Sequence, residues 1–169
     1  MFRSTPLLSL FFVLVLAGCD YQLVGRGGTL PPGIGSIHLP TLVNRTAEPN
    51  MDVRLTQALT QQFLLDGRLK VAGPQADAVL SGTIVSYLLR PLAYDGANNV
   101  TEYQVSLAVD LLFTATADGK VLVKQRVADT SQYEVTESVA GSEEARDGAV
   151  AVAAQKMAER IVSTIIEGF

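Results

Sequence analysis

Apolar residues recur along the chain with two different periods, and each period predicts a different element. Alternation is clearest over residues 102–116, where apolar and polar side chains take turns. That period of two predicts a strand with one buried face. Shorter apolar runs predict strands over residues 36–43 and 78–89. Asp118-Gly119 predicts a tight turn into an antiparallel strand over residues 120–135.

Prolines set the expected limits of two of these strands. Pro40 lies inside the first apolar run, and Pro91 follows the second. Because proline cannot donate a hydrogen bond to a neighbouring strand, it is confined to edges, bulges and strand ends. We therefore expect the first strand to lie at an edge or to be bulged, and the second to end at Pro91.

Two other segments carry apolar residues at helical spacing. The first follows Asn50, a candidate N-cap, and ends at Gly67, a candidate C-cap. Its apolar stripe comprises Met51, Leu55, Leu59 and Phe63. The second follows Ser142 and has acidic residues in its first turn, where the helix dipole favours them. Its stripe comprises Val150, Ala154, Met157, Ala158, Ile161 and Ile165.

This order of elements, β-α-β-β-β-α, predicts an α/β (α+β) two-layer sandwich. The two strands joined by the first helix should be parallel, and the remaining strands should form a meander. We expect a four-stranded mixed sheet with both helices packed on one face.

The other face of that sheet is left open. Its expected side chains are mostly small or polar: Gln104, Ser106, Ala108, Asp110, Leu112 and Thr114 from one strand, and Leu122, Lys124, Arg126 and Ala128 from the next. An ordinary solvated face has this composition. A face that lies against a partner has it too, because interface cores are depleted in charge.

The N-terminus predicts export and lipidation. Arg3 and the apolar residues 7–16 form a secretory signal peptide over residues 1–18, too short to be a spanning helix. The following Leu16-Ala17-Gly18-Cys19 resembles the lipobox of bacterial lipoproteins. That resemblance implies that Cys19 is the first mature residue and carries several acyl chains, which together anchor firmly. The alternative is a cleaved signal peptide followed by an incidental free cysteine.

Residues 19–35 then form a tether rich in glycine and proline, and residues 36–169 form one domain. Removing the first 18 of the 169 residues leaves 151. Arg3 is the only charged residue removed, so the mature chain has 17 acidic and 12 basic residues, from 13 − 1. That balance argues against a nucleic-acid partner. No further apolar run reaches the roughly 18 residues that a membrane span needs, and no cysteine remains for a disulfide.

The sequence offers little for catalysis. With one histidine, His38, and one cysteine, it has no metal-binding Cys/His cluster. The only nucleophile and base in proximity are Ser36 and His38, two apart on one strand. We expect no catalytic residue, no metal and no cofactor. A hydrolytic enzyme that uses these two residues is kept as an alternative.

Several short motifs together resemble the lipopolysaccharide-assembly lipoproteins (LptE, formerly RlpB). They are, in order, Cys19 followed by Tyr21-Gln22-Leu23, Leu30-Pro31, Ala76-Asp77-Ala78, Leu80-Ser81-Gly82, Tyr94, Thr101-Glu102-Tyr103-Gln104 and residues 129–133. The resemblance covers the mature chain. It implies a two-layer sandwich that sits, one to one, inside the outer-membrane barrel LptD, helps it fold, and interacts with lipopolysaccharide.

Basic residues are the candidates for the lipopolysaccharide phosphates. The family uses basic loop residues, whereas the 94–101 loop here has none. The remaining candidates are Arg90, Lys120, Lys124 and Arg126. Each is also interpretable as a solvated charge on the sheet or its rim.

Two observations keep other interpretations open. Asp20, directly after the anchor cysteine, is similar to the inner-membrane retention signal of enteric lipoproteins, whereas the family resides in the outer membrane. The segment with Asn44-x-Thr46 and the first helix is also similar to periplasmic adapter lipoproteins that regulate a peptidoglycan synthase or build a secretion complex. The 16 residues that separate Cys19 from the first strand, 20–35, span at most about 55 Å, which keeps the domain near its membrane.

Overall fold

The computed structural model describes residues 30–135 and 143–168. Cys19, Asp20 and Ser142, for which the sequence predicts an anchor, a sorting signal and a helix cap, lie outside the described residues. The described elements are β1 (Ser36–His38), β2 (Val43–Asn44), α1 (Met51–Asp66), β3 (Lys70–Ala72), β4 (Ala78–Tyr94), β5 (Val100–Ala115), β6 (Val121–Glu134) and α2 (Glu143–Glu167).

The strands form one mixed sheet with the order β3-β1-β4-β5-β6, and β2 pairs with β4. The three short strands make parallel pairs: β1 lies between β3 and β4, and β2 pairs with β4. The long strands β4, β5 and β6 form an antiparallel meander. Both helices pack against the same side. The predicted fold class is confirmed, but the predicted count of four strands is wrong, because the sheet has six.

The two extra strands come from short segments. The predicted first strand divides at residues 39–42, around Pro40, into β1 and β2. β3 is a three-residue strand that pairs outside β1, so β1 is internal and β3 forms the edge. Segments of two or three residues are too short for a period of two to be recognised. The sequence therefore predicted only a short extended piece over residues 69–72, not counted as a strand of the sheet, and did not separate β2 from the first strand.

β4 continues through Pro91 to Tyr94, contrary to the expectation that proline ends it. Beyond Ile84 the described pairings of β4 are with β5 alone, so the strand is an edge there and tolerates a residue without an N–H. A register shift between Pro91 and Ala93 also bulges this part of the strand. The prediction failed because β4 is internal at one end and an edge at the other.

The helical stripes predicted from the sequence form the core. Met51, Leu55, Leu59 and Phe63 of α1 and all six stripe residues of α2 are buried. Gly67 ends α1 in the left-handed region (φ 72°), and its N–H donates to the Phe63 carbonyl, as expected of a C-cap. Asn50 stands at the N-cap with φ 59°, but its side chain makes no cap hydrogen bond.

Small residues allow α2 to approach the sheet closely near its N-terminus. Ala149 and Ala153 pack with Val105 and, at the margin, with Tyr103 and Tyr133. A Cβ on Gly148 would collide with the Tyr133 ring, so only glycine leaves room for that ring.

Two ion pairs join the beginnings of the helices. Arg54 of α1 lies 3.1 Å from Asp147 of α2, and Arg146 lies 2.5 Å from the buried carboxylate of Glu48, which precedes α1. The two helices therefore run parallel. Within residues 30–135 and 143–168, no helix has the length and apolar content needed to cross a membrane.

Candidate functional site

The face of the sheet opposite the helices is the candidate functional surface, and we call it the open face. Its side chains form rows across β4, β5 and β6, because the register pairs Ser86 with Ala108 and Ala108 with Ala128. Neighbouring rows carry hydroxyl and amide groups: Ser106 and Thr130 are hydrogen-bonded at 3.2 Å, and Gln104 pairs with Gln132. The row of Ser86, Ala108 and Ala128 is small and uncharged, and the next row adds the exposed side chain of Leu88 beside Ser106. Charged side chains border these two middle rows, Arg90 on one side and the Asp110–Arg126 pair on the other.

The open face agrees with the prediction from alternation except at Leu122. A register shift occurs beside Leu122, between the Phe113–Val123 and Thr114–Val121 pairs. Its side chain packs against the hydrophobic core instead. This assignment is corrected: an extra residue in one strand changes the face on which its side chain lies.

A groove of about 620 Å³ occupies one end of the open face, beside β2. Its lining is Val43, Ser81, Gly82, Thr83, Asp110, Leu111, Leu112, Lys124, Gln125 and Arg126. Val43 lies beside Thr83 in the β2–β4 pairing and is 53% exposed. The groove therefore combines an apolar wall with hydroxyl and charged groups.

Asp110 and Arg126 hold one another across β5 and β6. Arg126 Nε donates to Asp110 Oδ1 at 2.6 Å, and its Nη2 donates to Oδ2 at 2.8 Å. These hydrogen bonds, with the charge of nearby Arg45 as a smaller contribution, lower the pKa of the Asp110 carboxyl. The same hydrogen bonds raise the pKa of Arg126. The Arg126 charge is thus largely occupied within the protein.

The other predicted basic residues are not all in one place. Lys124 is exposed, lines the groove, and makes no ion pair with any residue of the described ranges. Lys120 lies at the adjoining β5–β6 turn, where its N–H donates to Asp118. Arg90 is far from them. It pairs with Gln104 of β5, whereas Lys124 pairs with Leu112 of β5. These two β5 positions are eight residues apart, a distance of about 27 Å along the strand.

Arg45 is a basic residue of this region that the sequence analysis missed. It follows β2, its N–H donates to the Ile84 carbonyl at 3.0 Å, and its charge acts on Asp110. Its position beside the sheet depends on β2, which is only two residues long and carries no recognisable period. Arg45, Lys124 and Arg126 thus outnumber the single acid, Asp110, at this end of the open face.

Ser36 and His38, the nucleophile and base singled out from the sequence, are used in structural contacts. Ser36 Oγ donates to Asp77 Oδ2 at 2.7 Å, and that oxygen also accepts from the N–H groups of Gly35 and Ser36. His38 Nδ1 lies 3.3 Å from the Ala72 carbonyl. Asp77 thereby joins the start of β1 to the start of β4.

Comparison with protein families gives a match over residues 34–165 to the family model described as lipopolysaccharide-assembly, LptE. The chain belongs to the LptE family. This membership confirms the resemblance read from the short motifs and makes the protein a lipoprotein of lipopolysaccharide assembly. A comparison with curated protein sequences gives no significant match.

Solved structures support the LptE-like sandwich at the level of fold. Protein CT253 from Chlamydia trachomatis is 9% identical, with 80% of this chain and 96% of that chain covered and a TM-score of 0.57. Protein XCC0632 from Xanthomonas campestris is 12% identical, with 82% and 90% covered and a TM-score of 0.54. The PelC dodecamer from Paraburkholderia phytofirmans is 17% identical, with 83% and 93% covered and a TM-score of 0.52.

Proposed function

We propose that this LptE-family protein is a non-enzymatic plug and assembly partner of the outer-membrane barrel LptD. Its open face contacts the inner wall of the barrel. The observation that carries this proposal is the uncharged centre of the open face around Ser86, Ala108 and Ala128. Because the lumen of a membrane barrel is polar, a domain enclosed by it needs small hydrogen-bonding groups rather than strong charge.

We also propose that the groove takes the phosphate groups of lipopolysaccharide. Lys124 and Arg45 supply charge without an ion pair in the described parts of the chain, whereas Arg126 shares its charge with Asp110. Lys120 lies at the neighbouring turn and extends this basic region. Arg90 is too far along the sheet to join it, so it contacts either a second group of the ligand or the barrel.

Purification tests the partnership directly. The full lipidated chain, extracted in detergent and affinity-purified, is expected to bring down a large barrel protein in about equal amount. A clean monomer would refute the plug. Recovery of a peptidoglycan synthase or a secretion component in place of a barrel would support the adapter function instead.

Two matched alanine variants test the role of the open face. Ala128 on β6 and Ala151 on α2 are both exposed, so an arginine at either position has room without disturbing the core. Ala128→Arg is expected to abolish recovery of the barrel, and Ala151→Arg is expected to retain it. Equal losses for the two variants would exclude the open face as the specific contact while leaving the plug intact.

The anchor and the domain limits belong to the same proposal. Residues 1–18 are the signal peptide, Cys19 carries the acyl chains, residues 19–35 are the tether, and residues 36–169 are the domain. Cys19→Ala is expected to yield a folded domain that leaves the membrane fraction when the barrel is absent. Fractionation of inner and outer membranes decides whether Asp20 retains the wild-type protein in the inner membrane.

A further inference from the structure

The parallel strands begin at one end of the sandwich, and we call this end the base. β1 and β3 run side by side from Ser36 and Lys70, and the Lys70 N–H donates to the Gly35 carbonyl at 3.0 Å. The chain that leads back to Cys19 therefore enters the domain at the base. Just before it, Leu30 and Ile34 pack against the hydrophobic core.

The last turn of α1 lies at the same end and exposes two consecutive leucines. Leu64 is 62% exposed and Leu65 is 78% exposed, whereas the neighbouring Phe63 is fully buried. They lie off the buried stripe, so the core does not account for them. Gly67 fixes the end of the helix directly after them, and the chain reaches Lys70 of β3 three residues later.

Charged residues flank the two leucines. Arg68 donates to the Asp66 carboxylate through Nε at 2.9 Å and through Nη2 at 2.6 Å. Lys70 is exposed at the start of β3. Because Arg68 is paired with Asp66 and lies near the charge of Glu167, Lys70 is the basic side chain here that has no ion pair among the described residues. Apolar side chains beside a long basic one are typical of protein surfaces that rest at the headgroup level of a bilayer.

We propose that Leu64 and Leu65 contact the surface of the lipid bilayer that holds the acyl chains of Cys19. The proposal rests on the lipid anchor included in the proposed function, and it places the base outside the lumen, at the mouth of the barrel on the side of the bilayer that holds the acyl chains. It assigns the base a second, non-covalent membrane contact, in which the leucines reach the boundary between headgroups and acyl chains. The occupant of this surface is lipid, not a protein.

The length of the chain outside the described residues supports this orientation. Cys19 and Leu30 are eleven residues apart, which spans at most about 40 Å. β4, with its 17 residues, extends about 55 Å from the base to Tyr94. The tether is too short to let the sheet stand with its Tyr94 end on the membrane, so the base is the end held closest to lipid.

Site-specific fluorescence tests the contact. The chain has one cysteine, Cys19, and its sulfur carries the diacylglyceryl group in the lipoprotein, so an added cysteine is the only free thiol. Leu65→Cys is labelled with an environment-sensitive fluorophore and reconstituted as the full lipidated chain in phosphatidylethanolamine–phosphatidylglycerol vesicles with nitroxide-labelled lipid. Ala97→Cys, exposed between β4 and β5 far from the base, is the matched control.

The nitroxide lipid is expected to quench the label at position 65 several times more strongly than the label at position 97. Equal quenching would overturn the proposal. So would protection of position 65 from aqueous iodide without quenching by the lipid, because that result means contact with protein. Vesicle flotation distinguishes failure of the lipid anchor from failure of the leucine contact. A chain that does not float refutes both, whereas a chain that floats with equal quenching at positions 65 and 97 refutes the contact alone.

A second set of variants asks whether the leucines themselves make the contact. With the label on Lys70→Cys, Leu64→Ser/Leu65→Ser is expected to lower quenching clearly, although the tether still keeps it above the level of position 97. Leu88→Ser/Leu92→Ser replaces two leucines that are also exposed, 40% and 43%, but lie along β4 away from the base. That control is expected to leave quenching unchanged, and a decrease in both double variants would contradict the assignment.

Discussion

Gly82 of β4 and Leu42, just before β2, leave no space for a further atom between them. A Cβ built on Gly82 would lie 2.9 Å from Leu42 Cδ2 and 3.3 Å from both the Asp110 carbonyl oxygen and Leu111 Cδ2. Leu42 is buried, and its N–H donates to Thr56 Oγ1 of α1 at 3.1 Å. The glycine of Leu80-Ser81-Gly82 thus lets β2 and α1 close onto the sheet.

Gly82→Ala is expected to destabilise the protein by about 1–3 kcal/mol, because the added methyl overpacks a site bordered by backbone. The free energy of unfolding, measured with urea, checks this expectation. Gly96→Ala is the matched control, because a Cβ on Gly96 meets no atom within 4 Å. Equal stability of Gly82→Ala and wild type would show that Leu42 moves aside at no cost.

The sequence pattern predicted the elements with one regular period and failed where a strand changes register. Alternation along β5 is uninterrupted and predicts that Tyr103, Val105, Leu107, Val109, Leu111 and Phe113 face the core. The last five are buried, and Tyr103 is partly buried at the margin of the core. In β4 the alternation predicts one face with Val79, Val85, Tyr87 and Leu89 and another with Leu80, Ile84 and Leu88. A shift between Ile84 and Ser86 reverses the alternation, so Tyr87 and Leu89 lie on the same side as Leu80 and Ile84.

The site was predictable only in part, for a related reason. Lys124 and Arg126 alternate with buried residues of a long strand, so their position on the open face follows from the sequence. Arg45 depends on β2, and two residues carry no period. The ion pair of Arg126 with Asp110 depends on the register between β5 and β6, which pattern alone does not give.

Asp77 is expected to contribute to stability in a pH-dependent way. The hydrogen bonds from the Ser36 hydroxyl and then from the Gly35 and Ser36 N–H groups lower the pKa of Asp77 below its ordinary value of 3.8. A carboxyl group whose pKa is lowered by folding stabilises the protein above the pKa of the unfolded state. That contribution is lost as the pH falls through the lower pKa of the folded state.

Asp77→Asn is therefore expected to be less stable than wild type above pH 4, with the difference shrinking as the pH falls below 3.8, the ordinary pKa of the group. Urea unfolding at several pH values measures it. Ser36→Ala, which removes the largest cause of the lowered pKa, should show a smaller change of the same sign. A difference that stays constant down to the lowest pH would mean that the Asp77 charge is not involved.

Lys124 and Arg126 line the same groove, but we expect them to contribute unequally to binding lipopolysaccharide. Arg126 is already bound by Asp110 through two hydrogen bonds, whereas Lys124 has no ion pair within the part of the chain that the structure describes. Lys124→Gln is therefore expected to weaken binding of lipopolysaccharide more than Arg126→Gln does, by roughly threefold, the scale of one surface charge interaction.

Asp110→Asn should strengthen binding by a similar factor, because it releases Arg126 and removes a negative charge. Titration of the purified protein with fluorescent lipopolysaccharide measures all three affinities, and Lys156→Gln, on α2 beside Glu159, controls for total charge. Weaker binding by Asp110→Asn would show that the ion pair holds Arg126 in its binding position rather than competing for it.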